Sequence, residues 1–238
     1  MERPGLVKVV LITFAGHPKN RAGPYKKRAD TLTQSALKYK IADKCYIYNW
    51  QSVVDTEFGK KHKHILSSTI GSGYWLWKPY IICEALNNKL DDNDILIYHD
   101  AGRQRFDYSF KAHSSPRVIE AINKFSESTR DALIPHNSEM TIECRTESSC
   151  IYSLKGDDVK RCNMVSASFS MWKKTPTARK LAEDWLDKCI LDNNIRGSMG
   201  SHRHDQSVLS IVSHLRYPDT LVSNIGDTKS LSDANLKI

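Results

Sequence analysis

The stretch Asp94-Ile95-Leu96-Ile97-Tyr98-His99-Asp100-Ala101-Gly102 decides how this chain is read. Ile95 to Tyr98 are apolar or aromatic without a break and run straight into His-Asp-Ala-Gly. A short apolar run closed by turn-forming residues predicts a buried strand. In open α/β sheets, ligands bind at the carboxyl ends of such strands. Asp100 would sit at that edge beside residues too small to block access, which suits a hard divalent cation carrying a phosphorylated ligand. The other reading is that Asp100 only caps a turn, a role aspartate often takes.

The flanking sequence extends the same pattern. Residues 8–14 read as a buried first strand, broken by Ala15-Gly16-His17-Pro18. A helix is expected over about 25–39, with Ala29, Leu32, Ala36 and Leu37 near one face, and a second strand over 45–48. Strand, helix, strand is the opening of a parallel α/β sheet. Pro79 suits the first turn of a helix reaching about residue 86, and 87–93 form a polar turn. Ser115 is a plausible N-cap before Pro116, leading a helix with Val118, Ile119, Ile122 and Phe125 inward. A short strand is expected at 132–135.

In the second half, Val165, Ala167, Phe169 and Met171 alternate with Ser166, Ser168 and Ser170. That predicts a strand with one core face and one serine face, which lines a cleft or meets solvent. Thr175-Pro176 opens the strongest helical pattern, with Ala178, Leu181, Ala182, Trp185, Leu186, Cys189 and Ile190 at helical spacing. A last helix begins near Asp205 with Val208, Leu209, Val212 and Leu215 inward, and the polar tail from Ser223 is expected to be poorly ordered. One continuous domain fits this order better than two.

Composition narrows the class. The chain has 238 residues and a formal net charge of +8, which suggests an anionic partner without naming it. Lys19, Arg21, Lys26, Lys27 and Arg28 form one basic group, and Lys60, Lys61, His62, Lys63 and His64 another, read as a solvated surface. No helix carries a regular basic face and no RNA-binding or zinc signature appears, which argues against a nucleic-acid-binding module. No apolar run approaches the span of a bilayer, and no signal-peptide pattern opens the chain, so a cytoplasmic location is the expectation. Six cysteines without a CxxC pair read as free thiols, and the spacing of Cys144, Cys150 and Cys162 fits no common zinc module.

Gly71-Ser72-Gly73-Tyr74-Trp75-Leu76-Trp77-Lys78-Pro79-Tyr80 is the second unusual segment. Glycines give backbone freedom and aromatics rigid walls. Lys78 stands just before a predicted helix start, where an anion such as a diphosphate is favoured. The competing reading makes Trp75 and Trp77 ordinary core residues and Lys78 a solvated one.

Together with the strand into Tyr-His-Asp-Ala-Gly and with His202-Arg203-His204-Asp205-Gln206-Ser207, this segment resembles a family of small GT-A type glycosyltransferases. These are nucleotide-sugar enzymes similar to those of bacterial surface-polysaccharide loci and large DNA viruses. The resemblance runs over most of the chain. It implies an α/β fold: a single GT-A-like domain, with a Rossmann-like, mostly parallel central sheet flanked by helices and a smaller mixed acceptor-side part. Residues 1–105 would form the nucleotide-sugar half, 106–222 the acceptor side and 223–238 the tail.

The same resemblance implies a donor that is a UDP-, GDP- or dTDP-sugar, an acceptor that is a glycan or glycoconjugate, and Mn2+ or Mg2+ as cofactor. A glycolipid acceptor would place the protein at a membrane surface. Family members bind metal through an Asp-x-Asp-type motif; the matching Tyr98-His99-Asp100 carries one carboxylate instead of two. Donor contacts fall to Thr13, Phe14, Ala15, Tyr25, Arg28, Trp77, Lys78, Tyr98, His99 and Gln206. Asp100 would hold the metal, with His204 as second ligand or phosphate contact. Asp205, or else Glu143, would take the acceptor proton. Residue by residue, Asp205 is equally placed to cap the final helix, and a lone Glu143 is more often a solvated surface group. A sugar-nucleotide nucleotidyltransferase would share the carboxylate and the basic loop. That class tends to carry a glycine-rich Arg/Lys signature after the first strand, where this chain has only Ala15-Gly16 and Gly23.

Overall fold

The strands β1 (Val9–Phe14) and β3 (Ile95–His99) are buried along their whole length because the sheet they join is covered on both faces. The computed structural model describes residues 7–17, 23–101, 109–224, 231 and 236–238. Strand side chains alternate between faces. Val10, Ile12, Leu96 and Tyr98 enter one core, shared with α6 (Trp77–Asn88), α9 (Pro176–Cys189) and α11 (Asp205–Arg216). Val9, Leu11, Ile95 and Ile97 enter the other, with α1 (Gly23–Lys38) and α7 (Ser115–Glu127).

The remaining strands are β2 (Lys44–Tyr48), β4 (Ala132–Thr141), β5 (Asn163–Val165), β6 (Phe169–Lys173), β7 (Leu221–Asn224) and β8 (Leu236–Lys237). The sheet runs β2-β1-β3-β6-β4-β7-β8, with β5 paired to β4. β1, β2, β3, β4 and β7 point one way, and β5, β6 and β8 the other. This is the expected α/β architecture, a mostly parallel sheet flanked by helices. From β1 the chain passes to β2 on one side and later to β3 on the other. The strand order therefore reverses between β1 and β3, and their carboxyl ends diverge to leave a crevice. Phe14 and Asp100 stand at those two ends.

Several boundaries differ from the sequence reading. The alternating segment 165–171 is not one strand but β5 and β6 with a bend between them. Its serine face does not open as a unit: Ser166 and Ser170 are buried, and Ser170 Oγ accepts a bond from Trp172 Nε1 at 2.8 Å. β4 extends well beyond the expected 132–135. Ser114, not Ser115, precedes α7, and α6 starts at Trp77, so Lys78 lies inside the helix. Leu215 is exposed rather than inward. Ser223 and Asn224 belong to β7 and pair with Lys237 and Leu236, so the expected loose tail is tied to the sheet at both ends. Gly102, Lys19 and Arg21 lie outside the described residues.

Between β2 and α6 the chain forms short turns of helix, α2 (Trp50–Val54), α3 (Glu57–Lys61), α4 (Lys63–Leu66) and α5 (Gly71–Tyr74). α2 and α3 begin at side-chain caps, Asn49 on the Ser52 amide and Thr56 on the Gly59 amide. α8 (Ser148–Ser153) and α10 (Asp192–Ile195) pack together beside the cleft-forming helices. All six cysteines are free thiols. Among the described residues no helix is long and apolar enough to cross a membrane.

The two-faced core has a direct test. Phe125, fully buried against the α7 side of the sheet, should cost about 3–5 kcal/mol when cut to alanine. Leu37→Ala, on the exposed side of α1, should stay within about 0.5 kcal/mol in the same urea titration.

Candidate active site

At the diverging ends of β1 and β3 lies a cavity of about 550 Å³, within the range of small-ligand sites. Its floor is built around Lys78. This side chain leaves the first turn of α6 and is almost fully buried. Lys78 Nζ donates to the Ala167 carbonyl at 2.8 Å and lies 3.5 Å from Asp100 Oδ1 and 3.4 Å from Asp205 Oδ2. The three partners come from the end of β3, the bend between β5 and β6, and the start of α11. Antiparallel pairing explains the second: β6 runs against β3, the Asp100 amide donates to the Ser168 carbonyl at 2.8 Å, and the bend arrives at the crevice.

Burial pulls the Lys78 ammonium toward deprotonation, but the charges of Asp100 and Asp205 outweigh it and hold the group above its ordinary range. Asp205 is pushed up to about 7, mainly by burial; Lys78 opposes the shift and Asp100 adds to it. Tyr98, buried beneath, donates its hydroxyl to Asp100 Oδ1. Burial and the Asp100 charge push that phenol well above its usual range, so it stays a donor. Asp100 is thereby fixed by two partners while about a third of its side chain remains open to the cavity.

The wall above is aromatic. Phe14 and Trp77 stack at 3.8 Å with planes 12° apart. Trp77 Nε1 donates to the Gly71 carbonyl at 3.1 Å. Gly71, Ser72, Gly73, Tyr74 and Trp75 all have positive φ, from 53° to 97°, so α5 is a left-handed turn. Non-glycine residues pay roughly 1–2 kcal/mol each in that region. The glycines are required for space as well. A Cβ on Gly73 would lie 2.6 Å from Leu66 Cα, and one on Gly71 would meet the Trp75 ring at 2.0 Å.

His204 precedes α11 with φ 52° and ψ −119°, another strained conformation for a side-chain-bearing residue. It occupies the N-cap position, and Asp205 is the first residue inside the helix, which overturns the reading of Asp205 as a cap. His204 Nδ1 meets the Ile195 carbonyl at 2.9 Å, so Nδ1 carries the proton. Nε2 is then a lone pair, buried and without a hydrogen-bond partner among the described residues. Burial lowers the pKa of the ring, which leaves it neutral. A neutral lone pair suits a metal or a hydroxyl better than a phosphate oxygen.

The cavity thus gathers Phe14, Tyr25, Trp77, Lys78, Asp100, His204, Asp205 and Gln206 from the sequence-based set. The others are placed elsewhere. His99 is fully buried on the opposite face of the sheet, stacked near Phe169; its Nδ1 donates to the Asp100 carbonyl and its Nε2 accepts from the Leu231 amide. It holds the strand end instead of touching a ligand. Thr13 and Ala15 are buried beside the cavity rather than lining it, and Tyr98 acts through Asp100. Arg28 is half-buried, with its guanidinium 6.0 Å from the Tyr25 ring. Glu143 is exposed in a 3-10 turn and is not brought to the cavity. Of the serine face read as lining a cleft or meeting solvent, Ser168 does line the cavity; sequence reasoning assigned no role to Thr69, Met199 or Arg203, which line it too. They come from loops and bends that carry no periodic signal.

Among the described residues no group of three or more His, Cys, Asp or Glu side chains is placed to hold a metal ion. Asp100 and His204 both line the cavity, and a divalent cation there would need phosphate oxygens and water for its remaining ligands, as is usual for Mg2+.

No family model matches the chain, and no curated protein matches it. Several solved structures are loosely similar, three of them as follows. Mouse xyloside xylosyltransferase 1 in its apo form has a TM-score of 0.47 and 13% identity, over 90% of this chain and 84% of that one. The WbbM bifunctional glycosyltransferase has 0.43 and 9%, over 89% and 38%. The 4-diphosphocytidyl-2C-methyl-D-erythritol synthase of Anaerococcus prevotii has 0.37 and 14%, over 76% and 77%. No residue role is carried over from them.

Two outcomes follow from the site's geometry. Gly73→Ala should destabilise the protein by about 1–3 kcal/mol in a urea titration, through left-handed strain and the Leu66 clash. The second concerns pH. A carboxyl raised from 3.8 to about 7 on folding contributes stability that is complete below the unfolded value and is lost as pH rises through 7. Unfolding free energy of the parent protein, measured relative to Asp205→Asn, should therefore fall between pH 4 and 8; a flat difference would remove the burial argument.

Proposed function

We propose that the cavity transfers a glycosyl group from a nucleoside diphosphate sugar, a UDP-, GDP- or dTDP-sugar, to a hydroxyl of a glycan or glycoconjugate. The observation that carries this reading is the Asp100 carboxylate. It stands at the end of β3 where the strand order reverses, oriented by Tyr98 and Lys78 and open to a cavity of ligand size. The crevice at a reversal of strand order is where open α/β sheets take nucleotides. The Phe14–Trp77 stack and Tyr25 give it aromatic surface for a base or a sugar ring.

The chemical difficulty is departure of the nucleoside diphosphate. A divalent cation, Mn2+ or Mg2+, at Asp100 and His204 would supply charge stabilisation to that leaving group. Arg203, which lines the cavity, is a cation in reach of the same space. Lys78 has a different part from the one its sequence position suggests. Its charge is balanced by two carboxylates, so it positions Asp100 and Asp205. Asp205, with a pKa near neutrality, is the carboxylate in the cavity matched to accepting the acceptor's proton at physiological pH.

The test is nucleotide release from a panel of UDP-, GDP- and dTDP-sugars with and without Mn2+. Asp100→Ala and Lys78→Met should each lose about a hundredfold or more in rate. Full metal-dependent turnover by Asp100→Ala would refute the assignment. Release of pyrophosphate from a nucleoside triphosphate and a sugar phosphate would instead identify a nucleotidyltransferase.

A further inference from the structure

A second cavity, of about 940 Å³, opens beside the first. Thr69 lines both. The two also meet through the backbone, since a Cβ on Gly16, which lines the first cavity, would lie 2.4 Å from the Trp50 amide at the start of α2. The walls of the second cavity combine three kinds of group. Trp50 and Val54, both half-buried, give apolar surface. Gln51 and Asp55 give planar polar groups joined by a bond of 2.5 Å, and Ser67 and Thr69 give hydroxyls. Lys60 and Lys63, both exposed, bring ammonium groups from α3 and α4. Lys60 reaches Glu57 at 2.6 Å, but both side chains are mostly exposed and such a pair is weak.

We propose that this second cavity binds an acidic stretch of the acceptor, a sugar chain bearing carboxylate, sulfate or phosphate groups that passes Thr69 into the transfer cavity. The inference rests on the transferase reading. A pyranose ring packs its C–H face on an indole and offers hydroxyls to amide, carboxylate and hydroxyl partners, all present here. The two lysines select against a neutral chain. They also give a role to part of the Lys60–His64 run, which sequence alone reads as solvated surface. Asp55 is the acidic group of the wall, and its bond to Gln51 occupies one of its oxygens.

The experiment uses the full chain with four probes: a heparin oligosaccharide, an oligogalacturonate, a maltooligosaccharide of the same length and oligo-dT. Binding is followed by calorimetry at two salt concentrations. The acidic glycans should bind, more weakly at high salt, and the neutral one should not. Lys60→Glu combined with Lys63→Glu should weaken acidic-glycan binding by about tenfold, the scale of two exposed charge contacts. Stabilisation of the same variant by UDP with Mn2+ should be unchanged. No binding by the acidic glycans, equal binding by the double variant, or tighter binding of oligo-dT through base stacking would overturn the proposal. Acidic-glycan binding that depends on the lysines, with no binding of any sugar nucleotide, would support the groove and sink the transferase reading instead.

Discussion

One buried ammonium group sets the geometry on which this molecule's cleft depends. Lys78 touches the Ala167 carbonyl, Asp100 and Asp205, three groups supplied by distant parts of the chain. An isolated ammonium in a protein interior is strongly disfavoured. Two carboxylates and a carbonyl within reach offset that cost, and so the end of β3, the β5–β6 bend and the start of α11 are held in mutual register. Removing one partner leaves the others buried and incompletely satisfied, which is the costly way to disturb such a network.

The same arrangement controls the charge of the cavity floor. One cation between two carboxylates is net negative unless one acid is protonated. Asp205 is the one pushed toward protonation, mainly by its burial. The floor is thus poised between neutral and singly negative near physiological pH. A diphosphate arriving there meets no unbalanced positive charge from Lys78. Its compensation must come from the cavity's other cationic lining or from an ion that travels with it. That gives the cavity a reason to favour a metal-bound nucleotide over a bare one, even though few protein ligands are present.

Much of this was legible in the sequence, and what was not has identifiable causes. β1 and β3 were visible because strands buried on both faces are written as unbroken apolar runs. α9 was visible because its Ala178, Leu181, Ala182 and Trp185 recur at helical spacing and all four are buried. Asp100 was found from the strand that delivers it. Other features depend on contacts far apart in the chain. Nothing near Lys78 indicates that Asp205 will neutralise it, so the local sequence favours a solvated or phosphate-facing lysine. His99 looks as available as Asp100, yet strand alternation sends it to the opposite core, against Phe110 and Phe169. Ser166, Ser168 and Ser170 suggest a uniform polar face, but the bend after Val165 leaves Ser168 at the cavity and buries Ser170 against Trp172. Of the short helices between residues 50 and 66, α2 and α3 start at local side-chain caps and α4 has none, too little signal for periodicity to detect.

The left-handed turn shows how such local exceptions are maintained. Ser72, Tyr74 and Trp75 occupy a region that costs each of them energy, and His204 is strained as well. These strained segments are packed on one another: the His204 ring lies 5.2 Å from Tyr74 and 5.5 Å from Trp75. Trp77 ties the turn to its own backbone at Gly71, while Phe14 stacks on Trp77 and brings in the end of β1. Strain of this kind persists only when the surroundings over-determine it. Here interlocked rings provide that constraint, so the relative placement of His204, Trp77 and Lys78 does not wait for a ligand. A cavity whose walls are fixed in advance spends little binding energy on reorganisation, the condition under which oriented charges act most strongly on a reacting group.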